Sequence, residues 1–249
     1  MIQYLESNHN IKPYNINQKN NLENLRKQVR DYREKYKINL DELKKYFCRI
    51  YTKNTYNIGF FATIPYKSYS LNVLITNNNI INENDIQNNN NIEIYLNKWE
   101  KKIICLDEER KSYSSKEFDI SIIEIKDMDK INEFFKLDNE IINSLKYNRE
   151  EIINYYIKLY KNEYLYILNY EDNKNIYISH GKLLEIKENG IEHTCEINED
   201  FLFSPIFTLN TNRLIGFCNG ETSQKSKLII FPIIEFNKIE ENKPEIKED

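Results

Sequence analysis

Glycine, cysteine and long apolar runs are all scarce in this sequence of 249 residues. No apolar run approaches the roughly 20 residues that span a bilayer. The N-terminal stretch MIQYLESNHNIKPYNINQ lacks the apolar region of a secretory signal. The 4 cysteines form no C-x-x-C pair, which is typical of buried free thiols in a chain that is not exported. We therefore expect a cytoplasmic or intracellular protein without a membrane partner.

A basic excess is missing as well, because the formal net charge is −4 and the pI is near 5.7. Proteins that bind nucleic acid usually carry a basic stripe, so nucleic acid is not the expected partner. Hydrophobic residues make up 40% of the chain and include 19 Tyr and 12 Phe. This content is sufficient for a folded core, despite the many Asn and Lys residues.

The periodicity of the apolar residues divides the chain into five parts. Residues 1–46 combine a polar N-terminus with a helical arm, since Leu22, Leu25 and Val29 recur at spacings of three and four. Short runs rich in Ile, Tyr and Phe then predict a first group of strands over residues 47–130 and a second over 163–238. A helical connector is expected over 131–162, and the charged residues 239–249 form a solvated tail.

Three motifs follow one another across the two groups of strands. The apolar stretch GFFATIPY begins at Gly59, and the strand LNVLIT ends in residues 76–79, TNNN. The stretch FDISIIEIK carries Asp119 before an apolar run. DFLFSPIFTL, which begins at Asp200, precedes the strand NRLIGFCNG.

Together these motifs resemble those of the trypsin-like (chymotrypsin-fold) serine peptidases, over about Cys48 to Phe236. In that family a Thr-x-x-His turn supplies the general base, and an Asp before an apolar strand orients it. A G-x-S-G-[SG]-P loop supplies the nucleophile. On this resemblance Asn79 occupies the His position, Asp119 the Asp position and Leu202 the nucleophile position. The separations of 40 and 83 residues between these positions fit a full-length domain.

The resemblance implies a mostly β fold of two antiparallel β-barrels, with the N-terminal arm and the helical connector as additions. It also implies a degenerate triad, because Asn79 has no basic nitrogen and Leu202 has no hydroxyl group. Asp200 and Phe203 replace the two glycines of the oxyanion loop, and only 5 glycines occur in the whole chain. Asp119 is then expected to be a structural relic. We accordingly expect that the chain is not an enzyme.

Without catalysis, the expected function is that of a pseudoprotease that binds another protein or serves as a structural module. The apolar residues 201–203 (Phe201, Leu202 and Phe203) would plug the former cleft or form a contact patch. Two alternatives stay open: a structural subunit of a large assembly, and a hydrolase with a displaced active site. In the hydrolase, Ser204 and His193 would be the candidate pair.

Other residues carry weaker alternatives, and no cofactor is expected. His193, Cys195 and Cys218 could supply zinc ligands, but no fourth ligand at a metal-site spacing is evident, so no metal is expected. The segment NENDIQNNNN around Asp85 lacks the acidic spacing and glycine of a calcium loop and is predicted to be a surface loop. The basic arm LRKQVRDYREKYK could contact RNA, an acidic partner or a second helix, but a helix with a solvated charged face is the preferred interpretation.

Overall fold

The structure is a computed structural model that describes residues 40–52, 55–96, 100–170, 176–187, 190–197, 203–218 and 225–241, together with Lys27. Most of the predicted arm therefore lies outside the described residues, as do residues 200–202 and the end of the charged tail. Residues 40–249 form one unit by their contacts. Among the described residues, none of the helices has the length and apolar character needed to cross a membrane.

The first β unit is a sheet of eight strands. They are β1 (Phe47–Thr52), β2 (Thr55–Tyr66), β3 (Tyr69–Thr76), β4 (Asn91–Tyr95), β5 (Lys101–Cys105), β6 (Ser112–Ser115), β7 (Ile120–Glu124) and β8 (Phe135–Lys136). The sheet order is β5-β4-β1-β2-β3-β7-β6, and β8 adds to β2 in parallel. Apart from this last pair, neighbouring strands are antiparallel.

The second β unit is a closed barrel of six strands in the order β10-β11-β14-β13-β12-β9. Its strands are β9 (Tyr164–Tyr170), β10 (Ile176–Lys187), β11 (Gly190–His193), β12 (Ser204–Thr208), β13 (Leu214–Cys218) and β14 (Lys225–Leu228). Each of the strands β12 and β13 is buried along its whole length, which explains their nearly continuous apolar sequences.

Five α-helices with described bounds accompany the strands: α1 (Leu40–Leu43), α2 (Glu83–Gln87), α3 (Asn139–Ser144), α4 (Arg149–Tyr160) and α5 (Ile230–Glu241). Two 3₁₀ helices, Lys44–Tyr46 and Asp127–Asp129, are described as well. The side chain of Asn148 caps α4 by accepting from the Glu151 N–H at 3.0 Å. Helices α3 and α4 lie where the connector was predicted. Helix α5 was missed, because IIFPI has the apolar run of a strand, but β14 ends at Leu228.

The predicted fold class is confirmed, with one refinement in the first β unit. Its described strands form a half-barrel, because β5 pairs with β4 whereas β6 pairs with β7. Between them, the buried guanidinium of Arg110 donates to the carbonyls of Cys105 and Glu124, at 2.7 Å each. It also forms a buried ion pair with Asp129 at 2.7 Å. The Arg110 side chain thus connects the ends of β5 and β7.

The cores of the two β units meet through aromatic rings. Phe135 of β8 lies 4.9 Å from Phe207 of β12 and 6.3 Å from Phe60 of β2, measured between ring centroids. Phe203 stacks on Phe60 at 5.6 Å and packs against Phe217 at 5.1 Å. Buried phenylalanines from both β units and from the connector therefore form one continuous cluster.

Candidate functional site

The asparagines after β3 form a turn that their own side chains stabilise. The Thr76 hydroxyl donates to the Ile58 carbonyl at 2.9 Å and holds the end of the strand against β2. The backbone N–H of Asn79 then donates to Oδ1 of Asn77 at 2.7 Å, and the Ile80 N–H donates to the Asn77 carbonyl at 3.1 Å. An Asn side chain that accepts from the backbone two residues later ends a strand in a compact turn.

The same Asn77 side chain reaches the position predicted for the triad carboxylate. Its Nδ2 donates to Oδ2 of Asp119 at 2.6 Å. Asp119 ends the turn between β6 and β7, with a backbone φ of 53°. Asn77 is buried, and its amide thus links the two turns that carry Asn79 and Asp119. Its role was missed from sequence because a side-chain contact across 42 residues leaves no local pattern.

A second polar chain fixes the other side of this turn. Nδ2 of the buried Asn78 donates to Ser114 Oγ at 2.5 Å, and Ser114 Oγ lies 2.8 Å from Ser121 Oγ. The Ser121 hydroxyl in turn donates to the Ile81 carbonyl. Polar groups in the interior are therefore paired with each other, which holds β6, β7 and the asparagine turn in one arrangement.

A polar concavity of about 250 Å³ opens beside these networks. Its lining residues are Asn78, Asn79, Asn82, Glu83, Asn84, Ser114 and Lys116. Asn79 itself is exposed. Amide side chains both donate and accept hydrogen bonds, and the neighbouring carboxylate and ammonium groups carry opposite charges. The concavity can therefore bind a polar group through paired hydrogen bonds. Sequence reasoning singled out Asn79 in this set but missed Glu83, Ser114 and Lys116.

The segment around Asp85 is a capped helix. Asp85 Oδ2 accepts from the Asn82 N–H at 3.0 Å, while Asn82 Oδ1 accepts from the Asp85 N–H at 3.3 Å. These bonds form a capping box at the start of α2. The predicted surface loop is thus partly helical, and the helix places Glu83 and Asn84 at the concavity.

The predicted nucleophile loop falls mainly outside the described residues. The proposed roles of Asp200, Phe201 and Leu202 stay predictions for this reason. Phe203 is described, and only 3% of its surface is exposed because it packs between Phe60 and Phe217. Phe203 therefore fills the interior and does not itself contribute to an exposed contact patch.

The alternative pair Ser204 and His193 is not formed. Ser204 is buried at the start of β12, opposite Cys218, whereas His193 Nε2 lies 2.7 Å from Ser226 Oγ. The Ser226 hydroxyl lies 3.2 Å from the Cys218 sulfur. His193 is fully buried, and burial lowers its pKa from 6.5 to about 4. The imidazole is neutral at pH 7 and inaccessible to a substrate.

The zinc alternative also lacks support in the part of the chain that the structure describes, where no group of three metal-ligating side chains occurs. Burial raises the pKa of the Cys218 thiol to about 12 and also raises that of Cys195, so both thiols are protonated. Cys48, Cys195 and Cys218 are buried, as predicted, but Cys105 is exposed because it lies on the outer side of β5.

Comparison with solved structures supports a trypsin-like peptidase fold for this chain. The structure of Deg5 aligns with a TM-score of 0.49 and 13% identity, over 79% of this chain and 90% of the other. Rv3671c from M. tuberculosis, solved as a serine-to-alanine mutant in an inactive form, aligns with a TM-score of 0.51 and 11% identity. That alignment covers 82% of this chain and 91% of the other. No family profile and no curated protein matches the sequence.

These comparisons correct the prediction that the chain is not an enzyme. The chain has a trypsin-like peptidase fold, and nothing in the comparisons shows that it lacks activity. The prediction relied on Asn79 and Leu202, on Asp200 and Phe203 in the oxyanion loop, and on the scarcity of glycine, and the structure describes neither Asp200 nor Leu202. Substitutions inferred from a resemblance do not by themselves show that a chain lacks catalytic activity.

Proposed function

We propose that this protein binds an extended segment of another polypeptide at the concavity beside Asn79. The observation that carries the proposal is the cluster of amide side chains at the concavity, next to the hydrogen-bonded Asn77 and Asn78. A polypeptide backbone presents alternating N–H and C=O groups, and side-chain amides can pair with both. The hydrogen bonds of Asn77 and Asn78 keep this surface in place before a ligand arrives, which reduces the entropy lost on binding.

Charge adds a second element to the proposal. Lys116 and Glu83 lie at the concavity with opposite charges, so a segment with one acidic and one basic side chain would be complementary to both. Complementary charges contribute mainly to specificity and to the rate of association. We therefore expect the affinity to fall at high salt, because exposed charges are screened over about 8 Å at physiological ionic strength.

Unfolded β-casein serves as the probe, since it offers many extended segments. Binding is measured by biolayer interferometry with the full-length protein, and the casein is then analysed by mass spectrometry for cleavage. We expect Asn79→Leu and Lys116→Glu each to weaken binding at least fivefold. The matched control is Asn91→Leu, because Asn91 is also an exposed asparagine but lies at the start of β4, away from the concavity.

Equal binding by the wild type and both concavity variants would refute the proposal. Cleavage that persists through further purification and is lost in Asn79→Leu would replace binding with peptide hydrolysis as the function of this site.

A further inference from the structure

The turn between β6 and β7, residues 116–119, contributes Lys116 to the lining of the concavity and also contacts the other half of the molecule. On its inner side, Lys116 lines the concavity and Asp119 accepts from Asn77 at 2.6 Å. Its own internal support includes the Phe118 N–H, which donates to Ser115 Oγ at 3.3 Å. Asp119 adopts a positive φ of 53°, a left-handed conformation that Asp and Asn tolerate better than most residues other than glycine.

Arg149, the first residue of α4, supplies the main contact on the outer side of this turn. Its guanidinium carbon lies 5.9 Å from the ring centroid of Phe118 and 4.9 Å from that of Phe231 in α5. Its NH1 group lies 3.7 Å from the carboxylate of Glu117. A guanidinium group stacks well on aromatic faces and at the same time keeps its charge for an ion pair. One side chain thus joins two residues of the turn to α5.

A contact from the second barrel reinforces the same turn. The Lys227 ammonium group on β14 donates to the Glu117 carbonyl at 2.7 Å. Two elements that follow the first β unit in the chain, α4 and β14, therefore contact residues 117 and 118, and Arg149 links them to α5. None of these contacts is required for the pairing of β6 with β7, which their own backbone bonds provide.

We propose that Arg149 is a positioning residue: by holding Glu117 and Phe118, it fixes the turn that presents Lys116 to the concavity and Asp119 to Asn77. The consequence for polypeptide binding rests on the proposed function, but the effect on the turn does not. Arg149 acts through the turn, since it is not among the residues that line the concavity.

Hydrogen exchange of the full-length protein, followed by mass spectrometry, tests the effect on the turn directly. We expect Arg149→Leu to increase exchange at residues 116–121 about tenfold, with little change in β2 and β3. Arg149→Lys keeps the charge but loses the planar stack, so about half of the effect on a logarithmic scale should remain. The control is Lys158→Leu, which removes an exposed cation near the other end of α4. Unchanged exchange in the turn, or an increase spread over the whole chain, would overturn the proposal.

A second measurement separates this inference from the proposed function. We expect Arg149→Leu to weaken β-casein binding about threefold to tenfold, at a temperature where both proteins are fully folded. If the wild type binds no casein, the proposed function fails, whereas the exchange data still decide the role of Arg149. If casein binds equally to both proteins while exchange in the turn rises, Arg149 controls the turn but not the binding, and that part of the inference is wrong.

Discussion

His193 illustrates how a single side chain makes the second barrel sensitive to acid. Its ring is fully buried, with Nε2 beside Ser226 and Nδ1 without a hydrogen-bond partner. Burial favours the neutral form, which explains why its pKa is lowered from 6.5 to about 4. The unfolded chain therefore takes up a proton at a higher pH than the folded chain.

The sign of the pH effect follows from this difference in pKa. The contribution of His193 to the free energy of unfolding is complete above pH 6.5. It is lost as the pH falls towards 4, because in that range only the unfolded state binds the proton. The loss amounts to about 3 kcal/mol in the free energy of unfolding. Urea unfolding at several pH values should show this loss in the wild type and a flatter dependence in His193→Gln.

The control for this prediction is His180→Gln, because His180 on β10 is only partly buried. This variant removes the same imidazole group at a position that is not fully buried. An equal slope for the wild type and His193→Gln between pH 6.5 and 4 would show that His193 is not the group responsible.

Residues at the candidate site differ in how well the sequence predicts them. The position of Asn79 could be predicted because Thr76 and the preceding apolar strand mark a local motif. The bond between Asn77 and Asp119 could not, since it depends on two turns that meet only in the folded chain. Lys116 and Glu83 were missed for the same reason, because each lies beyond the motif that located Asn79.

At the level of the secondary-structure elements, the pairing of β13 with β14 depends on a glycine. A Cβ atom on Gly216 would lie 2.4 Å from the Lys227 carbonyl oxygen and 3.0 Å from the end of the Ile191 side chain. The carbonyl belongs to the backbone of β14 and cannot move without disturbing the ladder. Gly216→Ala should therefore cost about 2–3 kcal/mol of stability, as other overpacking substitutions do.

Gly59→Ala is the comparison for this prediction, because the closest neighbours of a Cβ at that position are the ends of the Leu74 and Ile50 side chains, at 2.8 and 3.0 Å. Flexible side chains can rotate away, so the loss should be smaller by at least 1 kcal/mol. Thermal and urea unfolding of the two variants provides the measurement. A larger loss for Gly59→Ala would contradict the argument.

The elements also show where periodicity works as a predictor and where it does not. Strands β2 and β3 were expected because their apolar runs end at recognisable turns. Helix α5 was missed, since Ile229, Ile230 and Ile233 are all fully buried and an apolar run of that length fits a buried strand equally well. Tertiary packing decides between these alternatives, and a single sequence does not reveal it.

In the molecule as a whole, the two β units are joined by a short piece of the connector. Strand β8 pairs with β2 through Phe135 and Ala62. Leu137, two residues after Phe135, forms a β-bridge with Leu214 of the second barrel. The ring of Phe135 meanwhile contacts rings from both units. The presence of two β units was predictable from the grouping of the strands, but this joint was not, because β8 is only 2 residues long.

The position of Phe135 predicts that the two β units unfold together. Phe135→Ala should lower the free energy of unfolding by about 3–5 kcal/mol. In this variant, amide hydrogen exchange in β3 and in β13 should increase at different urea concentrations, because the two units no longer unfold in one step.

The control is the adjacent Phe134→Ala, because the Phe134 ring packs on the core of the first β unit, 6.1 Å from the ring of Phe61. That variant should be less stable but keep a single transition, since it leaves the contacts with the second barrel in place. If the wild type already shows separate transitions for β3 and β13, the phenylalanine cluster does not couple the two units, and the shared core must be regarded as two independent ones.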